Sequence, residues 1–125
     1  MKNHATIKIK GLRIKTIIGC NEIERTNKQE ILLDITIKYN DQAASNNDDL
    51  QYALNYDTLI KKLSKEIEET AFFLLEKLSD FVIEKLISYK QINYVKVKIK
   101  KPDIFDNVDY ISVQKKYKRD KNGNQ

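Results

Sequence analysis

Apolar and polar residues alternate along four stretches of the chain, and this pattern predicts four β-strands. Successive side chains of a strand point to opposite faces, so an alternating stretch buries one face and exposes the other. The clearest case is the second stretch, where every other residue from Ile31 to Tyr39 is apolar or aromatic. Gly11 interrupts the first stretch and marks a bend or bulge. The strands predicted in this way are residues 6–18, 30–39, 93–100 and 110–117.

Between the second and third strands, the apolar positions change to the spacing of amphipathic helices. Leu59, Leu63 and Ile67 follow one another at intervals of four residues, which predicts a first helix. Asn55 is placed to cap its beginning. The second helix is predicted over residues 74–89.

The predicted order of elements is two strands, two helices and two strands, with polar segments 19–27 and 40–49 expected to be loops. This order predicts an α+β fold, in which both helices lie on one face of a four-stranded antiparallel sheet. Such a sheet has two exposed edges, which neighbouring subunits could cover by closing a ring. Residues 1–117 suit one domain, and the basic segment 118–125 is expected to be a frayed tail.

One lysine falls on the apolar side of the third strand. Val95, Val97 and Ile99 share the apolar face of that strand. Continued by one step, the alternation places Lys101 on the same face, directly before Pro102. A lysine aimed at an apolar face is a candidate for a chemical role. The alternative is that the strand has already ended and that this lysine is solvated.

Composition narrows the classes of function. The chain of 125 residues has no apolar run long enough to span a membrane. Its single cysteine, Cys20, cannot form an internal disulfide, which is compatible with the cytoplasm, where we expect the protein to act. Cys20 and the lone His4 cannot form a zinc site by themselves, and no glycine-rich phosphate loop is present. The net charge of +5 would suit a noncatalytic RNA-binding module, but the strand tyrosines are too dispersed to stack bases.

Four short motifs give the chain a resemblance to a known family. They are LRIKTIIG at residues 12–19, ALNY at 53–56, FLLEKL at 73–78 and Lys-Pro at 101–102. In this order they resemble the dihydroneopterin aldolase and dihydroneopterin triphosphate 2′-epimerase family over about residues 6–116. The resemblance implies the tunnelling fold and rings of subunits, usually tetramers stacked into octamers. It also implies active sites between subunits, and chemistry without a metal or an organic cofactor.

The resemblance implies that three residues bind the substrate. Glu76 would anchor the pterin, because a carboxylate can accept hydrogen bonds from the exocyclic amine and a ring N–H in a fork. A different explanation for Glu76 is its place in a first helical turn, where the helix dipole favours any acid. Leu75 would line the pterin site through its backbone, and Asn55 would lie close enough to touch the substrate.

Three further residues are implied to be catalytic. Lys101 would transfer a proton or activate water without forming a Schiff base, because the ring imine of the pterin can accept the electrons of the breaking bond. Tyr56 would move a proton at the pterin-linked carbon from across a subunit interface, although an ordinary interface aromatic would look the same. Glu24 would position substrate hydroxyls and water, with Glu22 as the near alternative.

The two branches of the family share the cleavage of the bond between the first two carbons of the pterin side chain. An aldolase of folate biosynthesis then releases glycolaldehyde, whereas an epimerase rejoins the fragments with the opposite configuration at the 2′ carbon. The motifs at residues 12–19 and 53–56 and the short connection 103–108 favour the epimerase. Lys-Pro is common among aldolases, although Asp109 stands where they typically have glycine. Which lysines would face a triphosphate stays open.

Overall fold

The computed structural model describes residues 4–120, which form one antiparallel sheet covered by helices. The strands lie in the order β1-β2-β3-β4, and every neighbouring pair is antiparallel. The predicted α+β fold with a four-stranded sheet is confirmed. The elements are β1 (His4–Thr16), α1 (Glu22–Thr26), β2 (Gln29–Asn40), α2 (Gln42–Asn47), a 3₁₀ turn (Leu50–Tyr52), α3 (Tyr56–Glu68), α4 (Leu75–Ile87), β3 (Ile92–Phe105) and β4 (Val108–Lys118).

The alternation along β2 and β3 decides which face of the sheet is buried. Leu33, Ile35 and Ile37 of β2 are at most 1% exposed and pair in register with apolar residues of β3. Helices α3 and α4 cover this face with their own apolar stripes, so sheet and helices share one core. Burying each such side chain stabilises the fold by roughly 1.5–3 kcal/mol. The helical residues in the core include Leu59, Leu63 and Ile67 of α3 and Leu78, Val82 and Leu86 of α4.

Helix α3 is tied down at both ends. At its start, Asn55 Oδ1 accepts a hydrogen bond from the backbone N–H of Thr58 at 3.2 Å, as predicted for an N-cap. At its end, the buried Thr16 Oγ1 lies 2.9 Å from the carbonyl oxygens of Ile67 and Thr70. These contacts join the end of β1 to the end of α3, and they fix the point from which the chain leads into α1.

Both predicted loops contain short helices. The segment 19–27 includes α1, whose N-cap Asn21 forms a capping box with Glu24. The segment 40–49 includes α2 and leads into the 3₁₀ turn. Helices of five and six residues carry too few apolar positions to show a period, which is why the pattern missed them.

Strand β3 extends five residues beyond its predicted end at Lys100. The ladder continues because Lys101 pairs with Ile111 and Pro102 pairs with Tyr110. The register then shifts before Phe105, and residues 106–107 form a two-residue turn into β4. The short connection read from the sequence is therefore a tight hairpin. The glycine bulge of β1 is also confirmed, since the register shifts between residues 9 and 12 and Gly11 has φ +67°.

The ordered structure reaches past the predicted domain boundary at residue 117. Lys118 pairs with Tyr94 at the end of β4. The Arg119 guanidinium donates hydrogen bonds to the carbonyl oxygens of Ile87 and Ile92, because its long side chain reaches back over the end of α4. Residues 121–125 of the predicted tail lie outside the described residues. Within residues 4–120, no helix has the length and apolar character needed to cross a membrane.

Candidate active site

Lys101 is largely buried and paired, and is not a solvated residue at a strand end. Its side chain is 12% exposed, and Nζ donates a hydrogen bond to Glu24 Oε2 at 2.7 Å. Its neighbour Lys100 extends from the opposite face of β3 and pairs with Asp34 Oδ2 at 2.9 Å. Two adjacent lysines therefore face different environments, as the alternation predicted.

Both carboxylate oxygens of Glu24 are held by hydrogen bonds. Oε2 accepts from Lys101 and from Gln29 Nε2, the latter at 3.1 Å. Oε1 accepts from the backbone N–H groups of Cys20 at 3.1 Å and Asn21 at 3.4 Å. A carboxylate offers about four acceptor positions. A substrate hydroxyl would therefore have to displace one of these donors, and the longest contact is the one from Asn21.

These donors keep Glu24 charged. The hydrogen bond from Lys101 is the main cause that lowers the pKa of Glu24 from 4.5 to about 2, with help from Gln29 and the backbone of Asn21 and against the effect of burial. At neutral pH Glu24 is therefore an ionised carboxylate, hydrogen-bonded to Lys101 Nζ. Glu22, the alternative in the sequence, is exposed in the first turn of α1, so the geometry brings only Glu24 of the two to Lys101.

Gly19 makes room for this carboxylate. A Cβ atom at residue 19 would lie 2.2 Å from Glu24 Oε1, well inside van der Waals contact. Gly19 also has φ +127°, a conformation that residues with side chains rarely adopt. The glycine is thus required twice, by the backbone and by the packing of Glu24.

The start of α4 lies beside the Lys101–Glu24 pair. The Gly19 N–H donates to the Phe72 carbonyl at 3.3 Å, and Cys20 Sγ lies 3.6 Å from the Phe73 carbonyl. Leu75 is 9% exposed and opens the helix, and Glu76 follows it with an exposed side chain. Among the hydrogen bonds and ion pairs of residues 4–120, none involves the Glu76 carboxylate, so it is available to a ligand.

Tyr56 and Asn55 are not brought to this cluster. Tyr56 is 60% exposed and lines an apolar depression beside β1 together with Ile9. Ile9 is in register with Val97 of β3 through β2, four residues before Lys101. Two strand spacings and four residues separate Ile9 from Lys101 by roughly 16 Å, so the depression that Tyr56 lines is well away from the Lys101–Glu24 pair. The side chain of Asn55 caps α3 at the same distant end.

Sequence reasoning missed two polar residues of the cluster. Gln29 bridges Glu24 Oε2 and the Ile18 carbonyl, the latter at 2.8 Å. Arg25 donates to the carbonyl oxygens of Ala71, Phe72 and Gly19. Neither residue lies on a periodic pattern. The only sequence signal that could have identified them is that they follow Glu24, the predicted catalytic glutamate, within five residues. Within residues 4–120, no three His, Cys, Asp or Glu side chains group closely enough to hold a metal ion.

Several proteins with similar sequences are named as enzymes that act on dihydroneopterin or its triphosphate. A family model described as dihydroneopterin aldolase (FolB) matches residues 7–116. Dihydroneopterin triphosphate 2′-epimerase of Escherichia coli K12 is 35% identical over 92% of this chain and 96% of its own length. Dihydroneopterin aldolase of the same strain is 28% identical over 75% of this chain and 77% of its own. The crystal structure of the E. coli aldolase in complex with neopterin matches with a TM-score of 0.83 at 24% identity, covering 90% of this chain and 98% of that one.

Proposed function

The chain belongs to the dihydroneopterin aldolase family, and from this premise we propose that it is the enzyme that inverts the 2′ carbon of 7,8-dihydroneopterin triphosphate. The E. coli epimerase resembles the chain more closely, and over more of its length, than the E. coli aldolase does. The tight hairpin at residues 106–107 also favours the epimerase, since the aldolase pattern has a longer connection. Release of glycolaldehyde is the second candidate, favoured by Lys101-Pro102. Either way, the chain is an enzyme that processes the side chain of a pterin.

One observation carries the proposal: the buried pair of Lys101 and Glu24 lies beside a helix that begins with a carboxylate available to a ligand. In this assignment Glu76 accepts hydrogen bonds from the pterin edge, and Leu75 lines the site through its backbone. A bound pterin would then extend its side chain from α4 toward Lys101. One domain carries these residues, and its lone cysteine suits a reducing compartment, the cytoplasm.

In the proposed reaction, Lys101 in its neutral form accepts the proton of the 2′-hydroxyl. The bond between C1′ and C2′ breaks, C2′ becomes an aldehyde carbon, and the electron pair moves from C1′ into the ring imine. The lysine ammonium formed in this step would be stabilised by the carboxylate of Glu24, whose Oε2 is the partner of Lys101 Nζ in the structure. Attack of C1′ on the other face of the aldehyde returns the proton to the oxygen and leaves C2′ inverted. Protonation of C1′ instead would release the aldehyde, which is the outcome of an aldolase.

Ring assembly explains how Tyr56 could reach the substrate. β1 and β4 are the edge strands of the sheet, and β4 exposes Val108, Tyr110 and Ile111 to about 40%. Tyr56 lies beside the β1 edge, whereas Lys101 lies one strand from the β4 edge. Pairing of β4 with β1 of the next subunit would bring these two residues from different chains toward one site. We therefore propose tetrameric rings stacked into an octamer, with sites between subunits and Tyr56 acting at C1′.

The direct test of function is product analysis. The protein is incubated with 7,8-dihydroneopterin triphosphate and, separately, with 7,8-dihydroneopterin, and the stereoisomers at C2′ are resolved. We expect inversion of the triphosphate as the main reaction. Glycolaldehyde and 6-hydroxymethyl-dihydropterin as the main products would establish the aldolase instead. Turnover of neither substrate, together with salt-sensitive binding to bulk RNA, would refute pterin chemistry altogether.

The shared site is tested by mixing two inactive variants. Tyr56→Phe and Lys101→Met are co-expressed so that both chains enter the same oligomers. If each site takes Tyr56 from one subunit and Lys101 from its neighbour, about one quarter of the sites contain both native residues and activity returns to that level. If both residues came from one chain, no site would be intact and the mixture would stay inactive. Light scattering that shows an active monomer would also refute the ring.

A further inference from the structure

Two arginines hold the two ends of α4. At the beginning, Arg25 Nη1 donates to the carbonyl oxygens of Gly19 and Phe72, both at 3.1 Å, and Nη2 donates to that of Ala71 at 2.7 Å. At the other end, Arg119 donates to carbonyl oxygens of β3 and of the last turn of α4 at 2.7–3.2 Å. Each arginine thus forms a clamp, a guanidinium that holds one end of α4 by hydrogen bonds to carbonyl oxygens. Only the clamp of Arg25 lies beside Glu24 and Lys101.

Arg25 donates hydrogen bonds to carbonyl oxygens of a segment that forms no regular helical or strand hydrogen bonds. Residues 70–74, which lead into α4, have no helical or strand structure. Leu74, the N-cap residue of α4, provides no side-chain hydrogen bond to the helix start. The guanidinium satisfies two carbonyl oxygens of this segment and also stacks on Phe73, with Cζ 4.0 Å from the ring centroid. The position of the first turn of α4 thus depends on a side chain from α1.

We propose that Arg25 is a positioning residue: it sets where Glu76, the pterin anchor, lies relative to the Lys101–Glu24 pair. It is adjacent to Glu24 in α1, so the same short helix holds the carboxylate against Lys101 and fixes the segment that precedes Glu76. The Arg25 guanidinium forms hydrogen bonds on both sides of the site. On one side it donates to the Gly19 carbonyl, and on the other to carbonyl oxygens of the segment before α4. This inference rests on the proposed function, because it assumes that Glu76 binds a pterin.

A lysine cannot replace this arginine. The guanidinium is planar and presents its donors in a fixed fork, whereas an ammonium is a point charge on a flexible stem. Arg25→Lys keeps the positive charge but loses the simultaneous contacts to residues 19, 71 and 72. A displacement of about 1 Å between binding and reacting groups can cost roughly 100-fold in rate. A merely structural arginine would instead lower stability and leave the affinity of each folded site unchanged.

The experiment compares Arg25→Lys with Arg119→Lys, the matched clamp at the far end of α4. Both proteins are first checked for oligomer size and melting temperature. The dissociation constant for neopterin is then measured by fluorescence, and KM and kcat are measured with the dihydropterin substrate. We expect Arg25→Lys to weaken neopterin binding and to lower kcat/KM by about 10-fold or more. Arg119→Lys should lower the melting temperature and leave the neopterin dissociation constant and kcat/KM within about two-fold of the parent values.

Each other outcome overturns a stated part of the reasoning. Parent-like binding by Arg25→Lys, or equal weakening by both variants, would show that Arg25 only stabilises the fold. Absence of neopterin binding by the parent protein would overturn the proposed function, and this inference with it. If Arg25→Lys does not assemble, the variant Phe73→Leu tests the inference instead. Phe73 is exposed, and this substitution removes only the ring under the Arg25 guanidinium. It should weaken neopterin binding by a few-fold, and unchanged affinity would refute the clamp.

Discussion

Replacing Lys101 by methionine should raise the pKa of Glu24 toward its ordinary value. The carboxyl pKa is lowered from 4.5 to about 2, and the hydrogen bond from Lys101 is the largest cause. The lowering of this pKa from 4.5 to about 2 corresponds to roughly 3 kcal/mol, at 1.36 kcal/mol per pKa unit, shared among all the partners of Glu24. Gln29 and the backbone donors still lower the pKa in Lys101→Met, but the largest lowering cause is lost while the opposing effect of burial remains, so we expect the pKa to rise clearly.

The assay is a titration of the side-chain carboxyl carbons in protein labelled with ¹³C-glutamate. The signal of Glu24 is identified by its loss in Glu24→Gln. In the parent protein this signal should stay nearly constant above about pH 4, and in Lys101→Met it should titrate at higher pH than in the parent. Lys100→Met is the control, since Lys100 pairs with Asp34 on the other face and should leave Glu24 unchanged. A parent signal that titrates near 4.5, or one that Lys101→Met does not move, would refute the buried pair.

The same pair predicts a pH dependence of stability. The pKa of Glu24 is lower in the folded state, so its contribution is fully present above about pH 4.5 and is lost as the pH falls toward 2. Urea unfolding at fixed protein concentration should show a steeper loss of stability over this interval for the parent than for Lys101→Met. The difference should not exceed about 3 kcal/mol, because that total also includes the contributions of the partners that remain. Parallel curves for the two proteins would contradict the pairing.

Substitutions at Lys101, Glu76 and Gly19 test the assigned roles. In steady-state kinetics, Lys101→Met should lower turnover by roughly 10²–10⁴-fold with binding largely kept, whereas Lys100→Met should change little. Equal, small effects of both substitutions would mean that the reactive face of the strand is not the one assigned. Glu76→Ala should cost about 2–5 kcal/mol of neopterin binding without unfolding the protein, and the exposed Lys77→Ala should not; parent-like affinity would make Glu76 an ordinary helix-terminal acid. Gly19→Ala should reduce both melting temperature and turnover, because its Cβ would displace the carboxylate of Glu24; unchanged values for both would contradict the tight packing.

Periodic features of the sequence predicted the parts of the fold that depend on local geometry. The alternation in β2 and β3 identified the buried face of the sheet, and its continuation placed Lys101 on that face, because the two-residue period is a property of any extended backbone. Gly11 and Asn55 were likewise read correctly as a bulge and an N-cap. The strand was nevertheless predicted to end at residue 100, since a proline usually ends a ladder.

Family motifs supplied candidate residues that no period could reveal, and they left Glu22 and Glu24 as alternatives. The tertiary structure separates these two, because only Glu24 reaches Lys101, a residue 77 positions away in the chain. The sequence by itself determined the architecture of the sheet and the face on which Lys101 lies. Only the folded structure decided that Gln29 and Arg25 join the site and that Tyr56 lies far from it. Side-chain contacts across loops follow from how the elements pack, and distant packing leaves no regular mark on the local pattern.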